Sequence, residues 1–251
     1  MSEIRQMQEE LVRMISDVDR LLNENGIQYT LLGGSVLGAV RHGGFIPWDD
    51  DMDIGIFRKD FARAEQLLSQ IRPYQYEFAD NLIIPDVPMG HLHFVNETYP
   101  IENSPTIDVF PLDTVPDNPR KWKKLRIIAG IRILVSIKRA PKNHGKFSKI
   151  VSLAFLKFAP KWLYGFLKRW SLKKILSYGN HGYRYTGNIF GAWTEREYFP
   201  TEVYAEHERK NFEGLLLPIP KDYNRYLSQL YGDYMKLPPE HERVPRHRSF
   251  P

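Results

Sequence analysis

Apolar residues recur at helical spacing through the first 25 residues of the chain. This period predicts an amphipathic helix over residues 2–25, which is expected to end at "NENG" with Gly26 as its C-terminal cap. The apolar face of that helix is formed by Ile4, Met7, Leu11, Met14, Ile15, Val18, Leu21 and Leu22.

The pattern then switches between short apolar runs and further helical periods. A strand is expected at "IQYTLLGGS", a short helix at "VLGAVRH", a loop at "GGFIPWDDD", a strand at "MDIGIF" and a helix over residues 59–71. Strand-like segments follow at "YEFAD", "HLHFVNE" and "TIDVFPLD". This order predicts an α+β fold with one mixed sheet and flanking helices.

The second half of the chain has a different pattern. Two apolar-rich helices are expected over about 120–138 and 148–176, and "YRYTGNIFGAW" is expected to return to the sheet as a strand or loop. One strand is predicted at "ERKNFEGLLLPIP", followed by a helix over about 221–231. The predicted domains are therefore a core at 1–117, a basic helical insertion at 118–194, and a part that completes the core at 195–251.

Charge is distributed unevenly along this chain of 251 residues. Residues 118–194 contain 18 Lys and Arg and no acidic residue, whereas the rest of the chain carries 17 basic and 30 acidic residues. The chain has no cysteine, which excludes disulfides and cysteine-bound zinc. Its N-terminus has no apolar signal-peptide core, so we expect a cytoplasmic protein.

The basic insertion mixes its cations with Trp, Phe, Leu and Ile. Neither predicted helix offers about 20 uninterrupted apolar residues, so we do not expect a transmembrane span. The composition is typical of helices on an anionic membrane surface and predicts a peripheral protein on the inner face of the cell membrane. Packing of these helices on the sheet is the alternative. Nucleic acid is not an expected partner, because no nucleic-acid-binding motif is present.

Four carboxylates, those of Asp49, Asp50, Asp51 and Asp53, lie around the start of the strand "MDIGIF". Side chains two positions apart in a strand share a face, so Asp51 and Asp53 are expected to point together while Met52 and Ile54 face the core. Paired carboxylates suit Mg²⁺ or Mn²⁺. The alternatives are a solvated acidic turn, a helix cap, or an EF-hand calcium loop, which would need glycine where Ile54 stands. Asp50 is expected to face solvent.

A second feature lies about sixteen residues before these carboxylates. Gly33, Gly34 and Ser35 follow the first predicted strand and begin a helix, where free N–H groups can bind a phosphate. An anion-binding turn next to a metal site is what phosphoryl or nucleotidyl transfer requires.

The string "GGSVLGAVRHGGFIPWDDDMDIGI" resembles the nucleotidyltransferase fold of the DNA polymerase β type. More narrowly, it resembles the LicD family of phosphocholine transferases, to which the fukutin-related proteins are similar. The resemblance extends to "IDVFPLD" and "FEGLLLPIPKDYNRYLSQLYGDYMKLPP". It implies that Asp51 and Asp53 bind the metal and that Asp108 is the third carboxylate, as a ligand or a base. Asp113 is a weaker rival for that role, and Asp49 is a candidate ligand of a second ion.

Other polar and aromatic residues near the motif are candidates for binding or support. Arg41 could grip a phosphate through its planar guanidinium, and His42 could hydrogen-bond it or support a ligand. Trp48 is expected to be a core residue rather than a base-stacking one. His91 and His93 share a strand face and are interpreted as partly buried polar residues, because no third metal ligand is evident.

The resemblance implies a metal-dependent phosphotransferase. It would move phosphocholine from CDP-choline to a hydroxyl of a cell-surface glycan precursor, of the teichoic acid or lipopolysaccharide type, and release CMP. Two alternatives stay open. One is transfer of another CDP-linked group, such as ribitol phosphate, glycerol phosphate or phosphoethanolamine. The other is a catalytically silent, membrane-associated scaffold that only binds nucleotide.

Overall fold

A seven-stranded mixed sheet forms the centre of the protein. The computed structural model describes residues 2–78, 89–138, 146–191 and 195–245. The sheet contains β1 (Tyr29–Leu31), β2 (Met52–Phe57), β3 (Gln75–Glu77), β4 (Gly90–His93), β5 (Thr106–Val115), β6 (Tyr185–Gly187) and β7 (Tyr198–Pro200). The strand order is β1-β2-β5-β4-β3, and β6 and β7 continue from the far end of β5.

The longest strand, β5, connects the two parts of this sheet. Its first half pairs in parallel with β2 and antiparallel with β4, and its second half pairs with β6. Most of its residues are buried, as expected for a central strand that is covered on both faces. On β2, Met52 and Ile54 are 1% and 0% exposed, which confirms that they face the core.

Eight α-helices flank the sheet within the described residues. They are α1 (Glu3–Glu24), α2 (Gly33–Arg41), α3 (Arg58–Leu68), α4 (Pro119–Ile137), α5 (Lys146–Phe158), α6 (Lys161–Ser177), α7 (Thr201–Ala205) and α8 (Tyr223–Tyr231). The predicted apolar face of α1 is confirmed, since six of its eight residues are buried. The α+β class is therefore confirmed, whereas the nucleotidyltransferase type of the fold stays a prediction.

Two element predictions in the second half of the chain are wrong. The single helix expected over 148–176 is two helices, because Pro160 has an extended conformation and ends the helical run before α6. The single strand expected over 208–220 is a hairpin of β8 (His207–Phe212) and β9 (Leu215–Pro220). Glu213 and Gly214 both have positive φ, 52° and 87°, which fits the twist of a two-residue hairpin turn.

Two short elements had no clear signal in the sequence, and parts of two predicted segments lie outside the described residues. Both β7 and α7 were not predicted. The last two residues of "YEFAD" and the last two of "YRYTGNIFGAW" lie outside the described residues.

The basic insertion packs on the core through one helix. Trp122, Leu125 and Ile128 of α4 are at most 5% exposed and belong to the same apolar cluster as the sheet. The packing alternative is thus correct for α4. In the described parts of the chain, every helix is too short or too polar to cross a bilayer. The three predicted domains, with the two boundaries between them, stay a prediction.

Candidate active site

A cavity of about 570 Å³ opens where the N-terminus of α2, the start of β2 and the first half of β5 meet. Gly33, Gly34 and Arg41 line it from α2. The four carboxylates that were predicted to bind metal also line it, namely Asp49, Asp51, Asp53 and Asp108. The structure therefore brings together seven of the nine candidate residues. Ser35 and His42 are not among the described residues that line the cavity.

Strand pairing sets the positions of two carboxylates. Asp53 on β2 and Asp108 on β5 are direct neighbours in the parallel register. Asp51 immediately precedes β2, and together with Asp49 and Asp50 it offers ligand atoms that all lie within 4.8 Å of one another. Carboxylate oxygens are hard ligands of the kind that Mg²⁺ and Mn²⁺ prefer.

The electrostatics of Asp53 are dominated by its burial and by neighbouring carboxylates. Burial raises the pKa of the Asp53 carboxyl well above its usual range, and four neighbouring carboxylates raise it further. In decreasing order of effect these are Asp51, Asp108, Glu197 and Asp49. A cation at this position would relieve their repulsion.

Asp50 does not face solvent, contrary to the prediction. Its residue surface is 1% exposed, because the loop before β2 turns this side chain inward while Asp49 and Asp51 line the cavity.

The N-terminus of α2 offers fewer free donors than the sequence indicated. The N–H of Gly33 donates to the Tyr226 hydroxyl at 2.9 Å, and the N–H of Ser35 donates to the Leu32 carbonyl at 3.0 Å. Within the described chain, no hydrogen-bond partner is found for the N–H of Gly34. Ser35 has a different use, since its Oγ accepts the Asp53 N–H at 3.0 Å and so fixes the start of β2.

Gly34 also makes room for a carboxylate. A Cβ at this position would lie 2.9 Å from Oδ2 of Asp49, closer than real Cβ atoms approach. Gly33 has φ of +50°, a conformation that favours glycine. The double glycine therefore serves the backbone turn and the approach of Asp49 as well as any anion.

Sequence reasoning missed a buried acid on the opposite wall of the cavity. Glu197 is 3% exposed, and its Oε1 accepts the Tyr226 hydroxyl at 2.7 Å. Burial raises the pKa of the Glu197 carboxyl to about 7, although hydrogen bonds from Tyr226 and Asn188 favour its charged form. A chain of hydrogen bonds thus runs from the Gly33 N–H through Tyr226 to Glu197.

His91 supports Asp108 from the neighbouring strand. Its Nδ1 lies 2.6 Å from Oδ1 of Asp108. Burial lowers the pKa of His91, but the hydrogen bond and the charge of Asp108 outweigh this effect and the net pKa is raised. His93 contacts Ser104 Oγ at 3.0 Å. The interpretation of both histidines as partly buried polar residues is confirmed.

Asp113, the weaker candidate for the third carboxylate, forms an ion pair outside the cavity. Its two carboxylate oxygens accept Nε and Nη2 of Arg58 at 2.8 and 2.7 Å. Asp113 is 3% exposed and does not line the cavity. This bidentate pair is a structural ion pair between β5 and the first turn of α3.

The end of α2 and the loop that follows it bring a cation and an aromatic ring to the cavity. Arg41 donates to the Tyr234 carbonyl at 2.9 Å and to His42 Nε2 at 3.0 Å. His42 itself is exposed. Trp48 is half-buried and packs against the apolar core, as predicted, and it also lines the cavity, with the Arg243 guanidinium 5.9 Å from its ring.

The cavity thus gathers carboxylates beside a helix that begins with two glycines. Residues 26–127 match the protein family described as the LicD/FKTN/FKRP nucleotidyltransferase domain. The resemblance to the LicD family that the sequence motifs predicted is therefore confirmed for this part of the chain.

Two relatives show how far the similarity extends. The chain is 29% identical to the lipopolysaccharide cholinephosphotransferase LicD of Haemophilus influenzae, over 97% of this chain and 96% of that protein. It is 53% identical to the human ribitol 5-phosphate transferase FKRP, but over 47 residues, 19% of this chain and 10% of that protein. The prediction of a phosphotransferase enzyme is confirmed by the family and these relatives.

Proposed function

We propose that this protein transfers phosphocholine from CDP-choline to a hydroxyl of a cell-surface glycan precursor and releases CMP. The observation that carries the proposal is the cavity itself, where Asp53 and Asp108 stand side by side on neighbouring strands and Gly34 lines the same space. The choice of phosphocholine is supported by the name of the Haemophilus relative, which is similar over nearly its full length.

The carboxylates of the cavity would hold the metal. Asp51 and Asp53 form the binding pair, and Asp49 is placed to reach a second ion. Mg²⁺ or Mn²⁺ bound there would neutralise the diphosphate oxygens of the donor. The residues fit this role because four other carboxylates repel the charged form of Asp53, and no cation is among the groups that shift its pKa most.

Other residues would position the donor and the acceptor. The Gly34 N–H donates to a phosphate oxygen, and Arg41 offsets negative charge at the rim. The acceptor oxygen bonds to the β-phosphorus while the bond from that phosphorus to the CMP oxygen breaks. Asp108, held by His91, either accepts the proton of the acceptor hydroxyl or completes the metal shell.

The second candidate is transfer of another CDP-linked group, such as ribitol phosphate, glycerol phosphate or phosphoethanolamine. It is favoured by the short segment that is 53% identical to a ribitol 5-phosphate transferase. For either donor, the acceptor would be a lipid-linked or polymeric glycan of the lipopolysaccharide or teichoic acid type. The enzyme would meet it as a peripheral protein on the inner face of the cell membrane.

A donor panel tests this function directly. We expect CMP release from CDP-choline in the presence of Mg²⁺ and a glycan acceptor, and loss of release when the metal is chelated. CDP-ribitol, CDP-glycerol and CDP-ethanolamine are measured in parallel. Faster CMP release from one of them would identify its head group, rather than phosphocholine, as the group that the enzyme transfers. Donor binding without CMP release in every condition would favour the silent scaffold instead.

Exchanging two neighbouring acids on β5 should separate catalysis from stability. We expect Asp108→Asn to lower turnover by about 10² to 10⁴. Its effect on unfolding free energy should be small, because the lost ion pair with His91 is offset by weaker repulsion of Asp53. Asp113→Asn should instead cost about 1–3 kcal/mol of stability, because it leaves the Arg58 guanidinium partly unpaired, and should leave turnover of the folded enzyme unchanged. Denaturant unfolding and CMP release measure both effects. A large loss of turnover in Asp113→Asn alone would assign the third carboxylate to Asp113.

A further inference from the structure

The face of α6 that points away from the core presents aromatic and basic side chains to solvent. Trp162, Phe166, Arg169, Lys173 and Leu176 are spaced by four, three, four and three residues, which places them on one side of the helix. Trp162 is 70% exposed and Phe166 is 51% exposed. Side chains of this size and exposure on a single helix face indicate a surface that has a partner.

The opposite face of α6 is already occupied. Ser171 and Ile175 are 0% and 1% exposed, and Arg132 of α4 donates to the Lys168 carbonyl at 2.6 Å. The helix is therefore held on α4, and its outer face is fixed in place rather than free to turn inward.

The turn before α6 extends the same exposed surface. Phe158, the last residue of α5, is 77% exposed, and the Lys157 Nζ lies 5.5 Å from its ring. Ile150 on α5 is 64% exposed. The helices are connected here, since the Tyr164 hydroxyl donates to the Leu156 carbonyl at 3.2 Å. We call Ile150, Phe158, Trp162, Phe166, Arg169 and Lys173 the aromatic–basic surface.

We propose that the aromatic–basic surface binds the interface of an anionic lipid bilayer. Its rings would lie at the boundary between headgroups and acyl chains, and its cations would contact lipid phosphates. Charge favours an anionic membrane over a second copy of the chain as the partner of this surface, because residues 118–194 carry 18 cations and no acid. A symmetric contact with a second copy of the chain would bring two such segments together and would be repelled, whereas an anionic membrane attracts each cation by about 1 kcal/mol.

The proposal for this surface rests on the proposed function only in one respect, the purpose of the surface, which is to hold the cavity close to a lipid-linked acceptor. Binding to lipid is a separate property of α5 and α6. It can be measured without donor or acceptor, so the failure of either proposal is distinguishable from the failure of the other.

Vesicle sedimentation with the full chain tests the proposal. We expect the protein to sediment with vesicles of phosphatidylcholine and phosphatidylglycerol, to bind pure phosphatidylcholine much less, and to dissociate as salt is raised. Trp162→Ala combined with Phe166→Ala should weaken binding by about tenfold or more. Arg169→Ala combined with Lys173→Ala should weaken it about tenfold and reduce its salt dependence.

Matched controls lie outside the surface. Leu216→Ala on β9 removes an apolar side chain that is 60% exposed, and Lys59→Ala on α3 removes a cation whose side chain is 77% exposed. Both should bind vesicles like the unchanged protein, and all variants should melt at similar temperatures because the altered side chains are exposed.

Two results would overturn the proposal. One is equal weakening by the control variants or no binding to anionic vesicles at all. The other is self-association of the protein in the absence of lipid that the Trp162 and Phe166 substitutions abolish, which would assign the surface to a second copy of the chain.

Discussion

Asp53→Asn is expected to lower turnover by at least about 10³-fold, equivalent to about 4 kcal/mol of transition-state stabilisation, while making the metal-free protein more stable. Asn has the shape of Asp but no charge, so the substitution removes half of the proposed metal-binding pair. It also removes a carboxylate that burial and four neighbouring acids destabilise in the folded state. The site would thus be one where function costs stability.

Thermal unfolding with chelator and with Mg²⁺ measures the stability effect, and CMP release measures turnover. The unchanged protein should gain stability when Mg²⁺ is added, and Asp53→Asn should gain less, because binding to the folded state alone raises stability. Asp117→Asn is a suitable control, since Asp117 is exposed and lies outside the cavity. Turnover of Asp53→Asn close to that of the unchanged protein would show that the metal lies elsewhere.

The half of the site that comes from one contiguous motif could be predicted from the sequence. Gly33, Gly34, Asp49, Asp51 and Asp53 lie within about twenty residues, and strand periodicity correctly placed Met52 in the core. The motif could not show how the donors are used. The Gly33 N–H is taken by Tyr226, and Ser35 supports Asp53 rather than lining the cavity.

The other half of the site depends on contacts between distant parts of the chain. Glu197 stands in a short segment before β7 that has no periodic pattern, and its role arises from burial and from a hydrogen bond to Tyr226 on α8. Asp113 could not be separated from Asp108 by sequence, because the partner that neutralises it, Arg58, is 55 residues away. Pairing across the fold, rather than residue type, decides these roles.

Long periodic elements were predicted best. The helix α1 and the strand β5 have strong patterns, and both were found close to their expected bounds. Errors arose where one residue interrupts a run of favourable composition. Pro160 divides a helix, and Glu213 with Gly214 divides a strand, although the apolar pattern continues on both sides. Backbone geometry at single positions therefore overrode the periodicity.

Glu197→Gln is expected to change how stability depends on pH. The folded protein holds the pKa of Glu197 at about 7, well above the ordinary value of 4.5. The folded state therefore binds this proton more tightly than the unfolded state does. The stability contributed by the protonated group is fully present below about pH 4.5 and is lost as the pH rises through about 7. The total loss is about 3 kcal/mol.

Glutamine keeps an oxygen that accepts the Tyr226 hydroxyl but has no proton to lose, so this loss should disappear in the variant. The measurement is denaturant unfolding between pH 5 and 8.5 with chelator present. The unfolding free energy of the variant, relative to that of the unchanged protein, should increase by up to about 3 kcal/mol as the pH rises. Tyr226→Phe provides the contrast. It leaves the Gly33 N–H without its acceptor, which should cost about 1–3 kcal/mol even at low pH. It should keep or steepen the loss at high pH, because charged Glu197 also loses the hydrogen bond from Tyr226. Parallel pH profiles for Glu197→Gln and the unchanged protein would mean that Glu197 stays charged in the folded state, held by Tyr226 and Asn188 despite its burial.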